Sequence, residues 1–385
     1  TSQSGIRHSW LRNVLVIFEF AISFGLIVGT LVVFNQLKYV QTKKLGFDKE
    51  HIVVIQRAAT LQNQADAFKQ TLMQNTNIAN ASSASSLPGG IFGSTAYQPE
   101  GVSAGESVLM APLFVDHDYI STLNIELTAG RNFSKDFPAD TATFIINEAA
   151  AKQLGWPNPV GKTLSMLGVG PQGQSRQFKI IGVAKNFHYA SLRDNIAPLA
   201  IGLTVDPLPF MAVRIRPGDI PATIDFLKAT WEEFVPTQPL DYTFLDEDFD
   251  ALYHAEQRLG KIFTVFSTLA ILIACLGLFG LASFTTEQRT KEIGVRKVLG
   301  ATVPNIILLL SKDFTILVGI AFIIASPVAY YAMNSWLQQF AYQAELGVLT
   351  FLITGVLALI IALLTVSYQA IKAALTNPAK ALRYE

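Results

Sequence analysis

Apolar and polar positions along the chain fall into two regimes. Four segments are nearly free of charge and long enough to cross a hydrocarbon core, which takes roughly 20 apolar residues in a helix. They are 14–34, 262–284, 314–333 (the apolar part of a segment 305–333) and 346–368. Runs this continuous predict helices, because a helix satisfies its own backbone in lipid. The first is too long, and lacks a cleavage site, for a signal peptide. Residues 35–261 behave differently. There, short apolar runs alternate with turn residues, the pattern of a folded domain inserted between the first and second spans.

Within that domain, β-rich runs predict strands at 51–55 (HIVVI), 144–146, 178–183 (FKIIGV) and 210–215 (FMAVRI). Helical patterns cover 64–74, 148–154 and 221–234. Pro88-Gly89-Gly90, Gly101, Gly130, Pro157, Pro159 and Pro217-Gly218 punctuate them. Strands and helices in no regular βαβ order predict an α+β domain. At about 225 residues it is large enough for two subdomains. Residues 249–266 predict one helix running into the second span as a stalk. The fold class expected is an α-helical membrane protein with four transmembrane helices and a large α+β extracytoplasmic domain between helices 1 and 2.

Composition sharpens this picture. Half of the 385 residues are hydrophobic and 15% are charged, which fits membrane spans better than a soluble globule. The formal net charge is zero, so nothing global suggests nucleic acid as a partner. Cys275, the single cysteine, lies in an apolar run and is expected to be a buried small hydrophobe. Lys and Arg set the orientation. Arg7 and Arg12 precede the first span. Arg289, Lys291, Arg296 and Lys297 follow the second, and Lys372, Lys380 and Arg383 follow the fourth. The link 334–345 has neither. The lead 1–13, the segment 285–304 and the tail 369–385 are thus expected in the cytoplasm. The domain and the loop 334–345 are expected outside.

Several patterns suggest chemistry and fail. GWPNPVGKT (155–163) has one residue too many for a phosphate loop, and two prolines remove amide donors. It reads as a turn with Lys162 in solvent. GVGPQG (168–173) matches GxGxxG, but a strand follows it where a dinucleotide site needs a helix, so a hairpin loop is expected. Asp116-His117-Asp118 does not converge on a metal in a helix or strand and reads as a loop. The acidic run Asp246, Glu247, Asp248 and Asp250 reads as a solvated face. No placement of Ser, His, Asp or Cys favours catalysis, so the chain is expected not to be an enzyme and to hold no metal or cofactor directly.

Two features remain. Glu19 is an ionisable group inside the first span, where such groups face protein or a polar cavity. It is a possible intramembrane polar site; the alternative is a carboxylate settled near the cytoplasmic interface. Lys312 and Asp313 read as an interfacial pair. The second feature is EQRTKEIGVRKVLGAT (287–302), highly charged and set between apolar segments. Glu287–Lys291 and Glu292–Arg296 have favourable i, i+4 spacing. Arg289 and Arg296, seven apart, share a face as a cationic ridge. Ile293, Val295, Val298 and Leu299 supply apolar contacts. Gly300 stops the helix, Thr302 caps the next, and Pro304 occupies its first turn. A lipid-surface anchor needs neither the paired glutamates nor Gly294 nor the hard stop; docking against a protein uses all three.

This segment resembles the signature after the second span of FtsX-like and MacB-like ABC transporter permeases. The resemblance extends over nearly the whole chain. It includes LRNVLVIFEFAISFGLIVGTLVVFNQLKYVQTKKLGFDKEHIVVI at the first span, and GRNFSKD, INEAAAKQLGW, VGKTL and IIGVAKNFHYASL in the domain. It ends with YQAIKAALTNPAKALRYE. It implies a permease without its own ATPase motif, partnered by a cytoplasmic ABC ATPase that supplies ATP chemistry. The residues implied to couple to that ATPase are Glu287, Arg289, Lys291, Glu292, Gly294, Arg296, Lys297 and Gly300. It also implies a bacterial inner-membrane location, a second permease unit, and work on an extracytoplasmic substrate or partner. The polar lead starting at Thr1 fits one half of a longer two-unit permease; an isolated unit would dimerise. The rival of another class is a membrane-anchored extracytoplasmic sensor that signals to a cytoplasmic partner without ATP.

Overall fold

The computed structural model describes residues 3–103, 105–168 and 174–374. In chain order, α1 (Gln3–Thr42) leads into β1 (Ile52–Ile55), α2 (Ala65–Leu72), β2 (Ile78–Ala84), β3 (Thr95–Pro99) and β4 (Val108–Val115). Next come α3 (Tyr119–Thr122), β5 (Leu127–Gly130), β6 (Thr143–Asn147), α4 (Glu148–Gln153), β7 (Thr163–Met166) and β8 (Arg176–Ala184). They are followed by β9 (Leu199–Leu203), β10 (Phe210–Ile215), α5 (Ile220–Phe234), β11 (Tyr242–Phe244) and α6 (Leu245–Ala251). Four helices complete the described residues: α7 (His254–Gln288), α8 (Thr290–Val298), α9 (Val303–Leu337) and α10 (Val348–Ala374).

The chain divides into two compact units. One comprises Thr1–Val40, Ala255–Gln339 and Gln343–Glu385; the other comprises Gln41–His254 and Phe340–Tyr342. Among the described residues of the first, four helices are long and apolar enough to cross a membrane: Trp10–Thr42, His254–Gln288, Pro304–Leu337 and Val348–Lys372. All four contribute to one core, in which Val16 and Phe20 of α1 meet Ala274 and Leu278 of α7, Phe314 and Val318 of α9, and Ala362 and Val366 of α10. Small residues let the helices approach. A Cβ on Gly29 would lie 3.1 Å from the Phe263 ring, and one on Gly355 would lie 2.6 Å from the Phe322 ring. Thr30 Oγ1 lies 3.4 Å from Ser267 Oγ, joining α1 to α7.

The inserted unit has two halves. In the first, β11, β1, β10 and β2 form an antiparallel sheet in that order. α2 lies between β1 and β2 in sequence, and α5 between β10 and β11, so this half is a split β-α-β motif. Phe68, Leu72, Ile224, Leu227 and Trp231 of the two helices cover one sheet face, against Val53, Ile55, Met211 and Val213. The second half is inserted between β2 and β10. There β4, β3, β7, β8, β6 and β9 pair in succession, and β9 returns to pair with β4, closing a ring. Its interior holds Tyr97, Met110, Phe144, Ile146, Leu164 and Phe178. Phe144 stacks on Phe178 at 4.0 Å, and the absence of a side chain at Gly202 leaves room for the Phe144 ring.

The predicted α+β class and two subdomains are both present, and each predicted strand and helix falls on an observed element. The stalk differs. Residues 249–266 are not one helix: α6 ends at Ala251, Leu252 and Tyr253 form a turn, and α7 starts at His254. The turn buries Tyr253 in the inserted unit, where its hydroxyl accepts from Leu192 N at 2.8 Å. Cys275 is partly exposed on α7, not buried.

Candidate functional site

The charged segment forms α8 much as its sequence requires. α7 ends at Gln288 and α8 starts at Thr290, with Arg289 the single non-helical residue between them. Backbone bonds bridge that residue, Arg289 N to Thr285 O at 3.0 Å and Ile293 N to Arg289 O at 2.9 Å, so it makes a bend and not a break. Gly300 adopts φ +92°, and Ala301 N donates to Arg296 O at 2.9 Å. That is the left-handed stop that glycine makes cheaply. Thr302 does occupy the N-cap of α9, with Pro304 in the first turn, but its hydroxyl makes no cap bond. Its carbonyl instead accepts from Asn305 N at 3.1 Å and Ile306 N at 3.3 Å.

Charges in α8 pair differently from a free cationic ridge. Arg296 meets Glu292 at 2.7 Å, the expected i, i+4 pair. Arg289 reaches out of the segment to Asp313 of α9 at 3.1 Å. Asp313 is therefore not simply an interfacial partner of Lys312. Each arginine is neutralised, so the two do not form a common positive stripe. Glu287 is exposed. The side chains of Lys291, Lys297 and Val298 lie outside those described, and with them the Glu287–Lys291 pair.

The apolar positions split. Ile293 is buried with Ile306 and Leu310 of α9 and Ala370 of α10. Gly294 beside it is also buried. Val295 and Leu299 point the other way and are 48% and 80% exposed. α8 thus has one face fixed to the bundle and another carrying exposed apolar side chains beside an Arg–Glu pair.

Glu19 sits on α1 with its carboxylate against α7. A Cβ on Gly277 would lie 2.5 Å from Glu19 Oε2. Oε2 is shielded from solvent and has no hydrogen-bond partner. The Ser23 hydroxyl donates at 2.8 Å to the Glu19 carbonyl, not to the carboxylate. The sequence singles out Glu19 but not its neighbour, because Gly277 is one of three glycines in α7, with Gly260 and Gly280.

The remaining motifs resolve as structure. In 155–163, Gly161 N donates to Ile180 O and Ile180 N to Lys162 O, each at 2.8 Å, so these groups belong to a sheet edge and not a phosphate cradle. Lys162 rests on the Trp156 ring at 4.9 Å instead of standing free in solvent. Of the glycine-rich match 168–173, residues 169–173 lie outside those described. The strands on either side pair antiparallel, with Met166 opposite Arg176, as a hairpin does. Asp116 is more than a loop residue. It is buried, accepts from Ser83 N at 2.7 Å and pairs with buried Lys69 at 2.7 Å. The Asp116 carboxylate keeps Lys69 protonated above the usual lysine range, against the opposing effect of burial. In the acidic run, Asp248 accepts from Thr243 and Asp250 pairs with Lys49 at 2.8 Å, which anchors α6. Among the described residues, no group of His, Cys, Asp and Glu could hold a metal ion.

Among the described residues the chain combines four helices able to span a membrane, a large domain inserted between the first two and a short charged helix after the second. Residues 14–225 match the MacB-like periplasmic core domain and residues 264–378 match the FtsX-like permease C-terminal domain. The chain belongs to this MacB/FtsX-like family of ABC transporter permeases. It is 25% identical over 249 residues to the macrolide export ATP-binding/permease protein MacB of Campylobacter jejuni subsp. jejuni serotype O:23/36 (strain 81-176), covering 60% of this chain and 38% of that protein. It is 24% identical over 297 residues to the uncharacterized ABC transporter permease YknZ of Bacillus subtilis (strain 168), covering 70% of this chain and 69% of YknZ. The chain thus spans well under half of MacB and about two thirds of YknZ. Among solved structures, the periplasmic region of MacB from Actinobacillus actinomycetemcomitans matches at 14% identity and a TM-score of 0.40, covering 55% of this chain and 97% of that one.

Proposed function

We propose that the chain is the membrane component through which a cytoplasmic ABC ATPase does work on the extracytoplasmic domain. The observation that carries this reading is the two-faced α8. Ile293 fixes it to α9 and α10, while Val295 and Leu299 stand exposed beside the Glu292–Arg296 pair. An exposed apolar pair rimmed by satisfied charge suits a protein partner. The distribution of Lys and Arg supports placing α8 and both termini in the cytoplasm of a bacterial inner membrane, where ATP is available. ATP binding would close two ATPase subunits against α8. The Arg289–Asp313 bridge and the Ile293 contact would pass the displacement to α9 and α10. A second permease unit, fused or separate, would complete the pair. ATP chemistry belongs to the ATPase, and this chain binds no cofactor directly. Few ionisable groups lie in the spans, which favours work on an outer partner or substrate over passage through the bilayer.

The test is co-purification from detergent-solubilised membranes, comparing the unaltered chain with the Val295→Asp/Leu299→Asp variant. The reading expects an ABC ATPase, identified by mass spectrometry, with the former and its loss with the latter. A kinase or response regulator in its place would support a sensor instead.

A further inference from the structure

The inserted unit includes a tripeptide, Phe340–Tyr342, from the link between α9 and α10. Phe340 is 2% exposed, and the Arg193 guanidinium lies over its ring at 5.4 Å. Ala341 N donates to Arg193 O at 2.8 Å. The Tyr342 ring stands edge-on to His188 at 4.6 Å, with Lys43 Nζ over its face at 4.3 Å. A backbone bond and three side-chain contacts are much for three loop residues, and all but the Lys43 contact fall on residues 188–193.

The same six residues receive the other places where the chain enters or leaves this unit. His188 N donates to Leu45 O at 2.8 Å, just after α1 ends at Thr42. Leu192 N donates to the Tyr253 hydroxyl at 2.8 Å, just before α7 starts at His254. Residues 188–193 therefore bond to the segment following α1, the segment preceding α7 and the link between α9 and α10. His188, Tyr189, Ala190 and Ser191 also form part of the wall of a cavity of about 290 Å³. Phe92, Leu109, Ile196 and Pro198 also line it.

We propose that residues 188–193 are the node at which displacement of all four membrane helices reaches the inserted domain, with Phe340–Tyr342 as the strap from α9 and α10. The geometry reason is simple. The interruption at Leu252–Tyr253 means that α7 does not enter the domain as a rigid rod. Movement is passed by hydrogen bonds at the chain crossings, and three of these share one short segment. Displacing that segment reshapes the cavity it walls. The proposal rests on the permease reading above, which supplies the driving motion.

The experiment is hydrogen–deuterium exchange on the full chain in nanodiscs, with Tyr342→Ala, Tyr342→Phe and Ala341→Pro variants. Without nucleotide, Tyr342→Ala and Ala341→Pro should raise exchange in 188–193 at least tenfold, while α5 is unchanged. Tyr342→Phe keeps the ring and should stay within twofold. Exchange in 188–193 that ignores Tyr342→Ala and Ala341→Pro overturns the strap. With the partner ATPase trapped by ATP and vanadate, exchange in 188–193 should change at least threefold in the unaltered chain. That change should vanish in Tyr342→Ala while ATP turnover persists. A response in α8 with none in 188–193 overturns the node and leaves the permease reading standing. No response in α8 either overturns the permease reading, and the node with it.

Discussion

Arg289 Nη2 lies 3.1 Å from Asp313 Oδ2, tying the bend between α7 and α8 to the first turns of α9. Both side chains are substantially exposed, so the bridge adds only about 0.2–1 kcal/mol to stability. Its value is positional: it fixes where α8 stands relative to α9. Arg289→Glu should lower substrate-side output per ATP hydrolysed with little change in melting temperature. Arg289→Glu/Asp313→Arg should restore it in reconstituted proteoliposomes. Equal defects in the single and double variants would remove the bridge from the mechanism.

The Glu19–Gly277 contact makes a packing prediction. Gly277→Val should destabilise the solubilised protein by about 1–3 kcal/mol, the usual cost of overpacking, because the new side chain meets the Glu19 carboxylate. Gly277→Ala should cost less, since the end of a flexible side chain can give way. Glu19→Ala combined with Gly277→Val should recover most of the loss. Glu19→Gln keeps the shape and should be nearly silent in both stability and activity. Thermal unfolding of the four variants in one detergent decides this.

His188 provides a pH dependence. Burial, reinforced by Lys43, pushes its pKa down from 6.5 to about 4. Between those values the unfolded chain takes up a proton that the folded chain does not, so stability falls as pH is lowered from about 6.5 to about 4. Below about 4 both forms are protonated and this contribution is constant. His188→Gln should flatten that part of a stability-against-pH profile, measured by denaturant unfolding of the full chain. An unchanged slope would show that other groups set it.

Gly130 tests how β5 packs on the ring of strands. It adopts φ +75°, and a Cβ there would collide with the carbonyl of Ile181 on the paired strand β8. That oxygen is backbone and cannot swing aside. Gly130→Ala should cost at least about 2 kcal/mol. Gly101, also at positive φ but with open space around it, should lose only about 1 kcal/mol when changed to Ala. Comparable losses at the two sites would mean that backbone conformation, not the collision, sets the cost.

Much of this architecture was legible in the sequence because apolar length and Lys/Arg asymmetry are strong signals. The spans, α8 and its glycine stop all follow from local chemistry. Several strands escaped notice. β2 reads IANASSA, small and polar, and becomes a strand because β10 pairs along it. Ring closure rests on the parallel pairing of β4 with β9, nearly ninety residues apart, which no local pattern announces. Within the site, Glu292–Arg296 was readable because i, i+4 spacing is local. Arg289–Asp313 was not, since it depends on how α9 folds back. The stalk was misread because apolar periodicity continues through Leu252 and Tyr253, although Tyr253 is held by a tertiary hydrogen bond. Lys69–Asp116 was missed for the same reason, as its partners are 47 positions apart.

The central claim is that the exposed face of α8 docks onto an ATPase. Photo-crosslinking from a benzoylphenylalanine at position 299, in native membranes, tests it most directly. Leu299 is 80% exposed, so the bulky probe can be accommodated there. The account predicts a crosslinked product containing an ABC ATPase, with a yield that changes at least threefold between nucleotide-free and ATP-trapped membranes. The same probe at Ile293, buried in the bundle, should crosslink only within the chain. Products at position 299 that contain lipid alone, in the presence of the ATPase and in both nucleotide states, would contradict it.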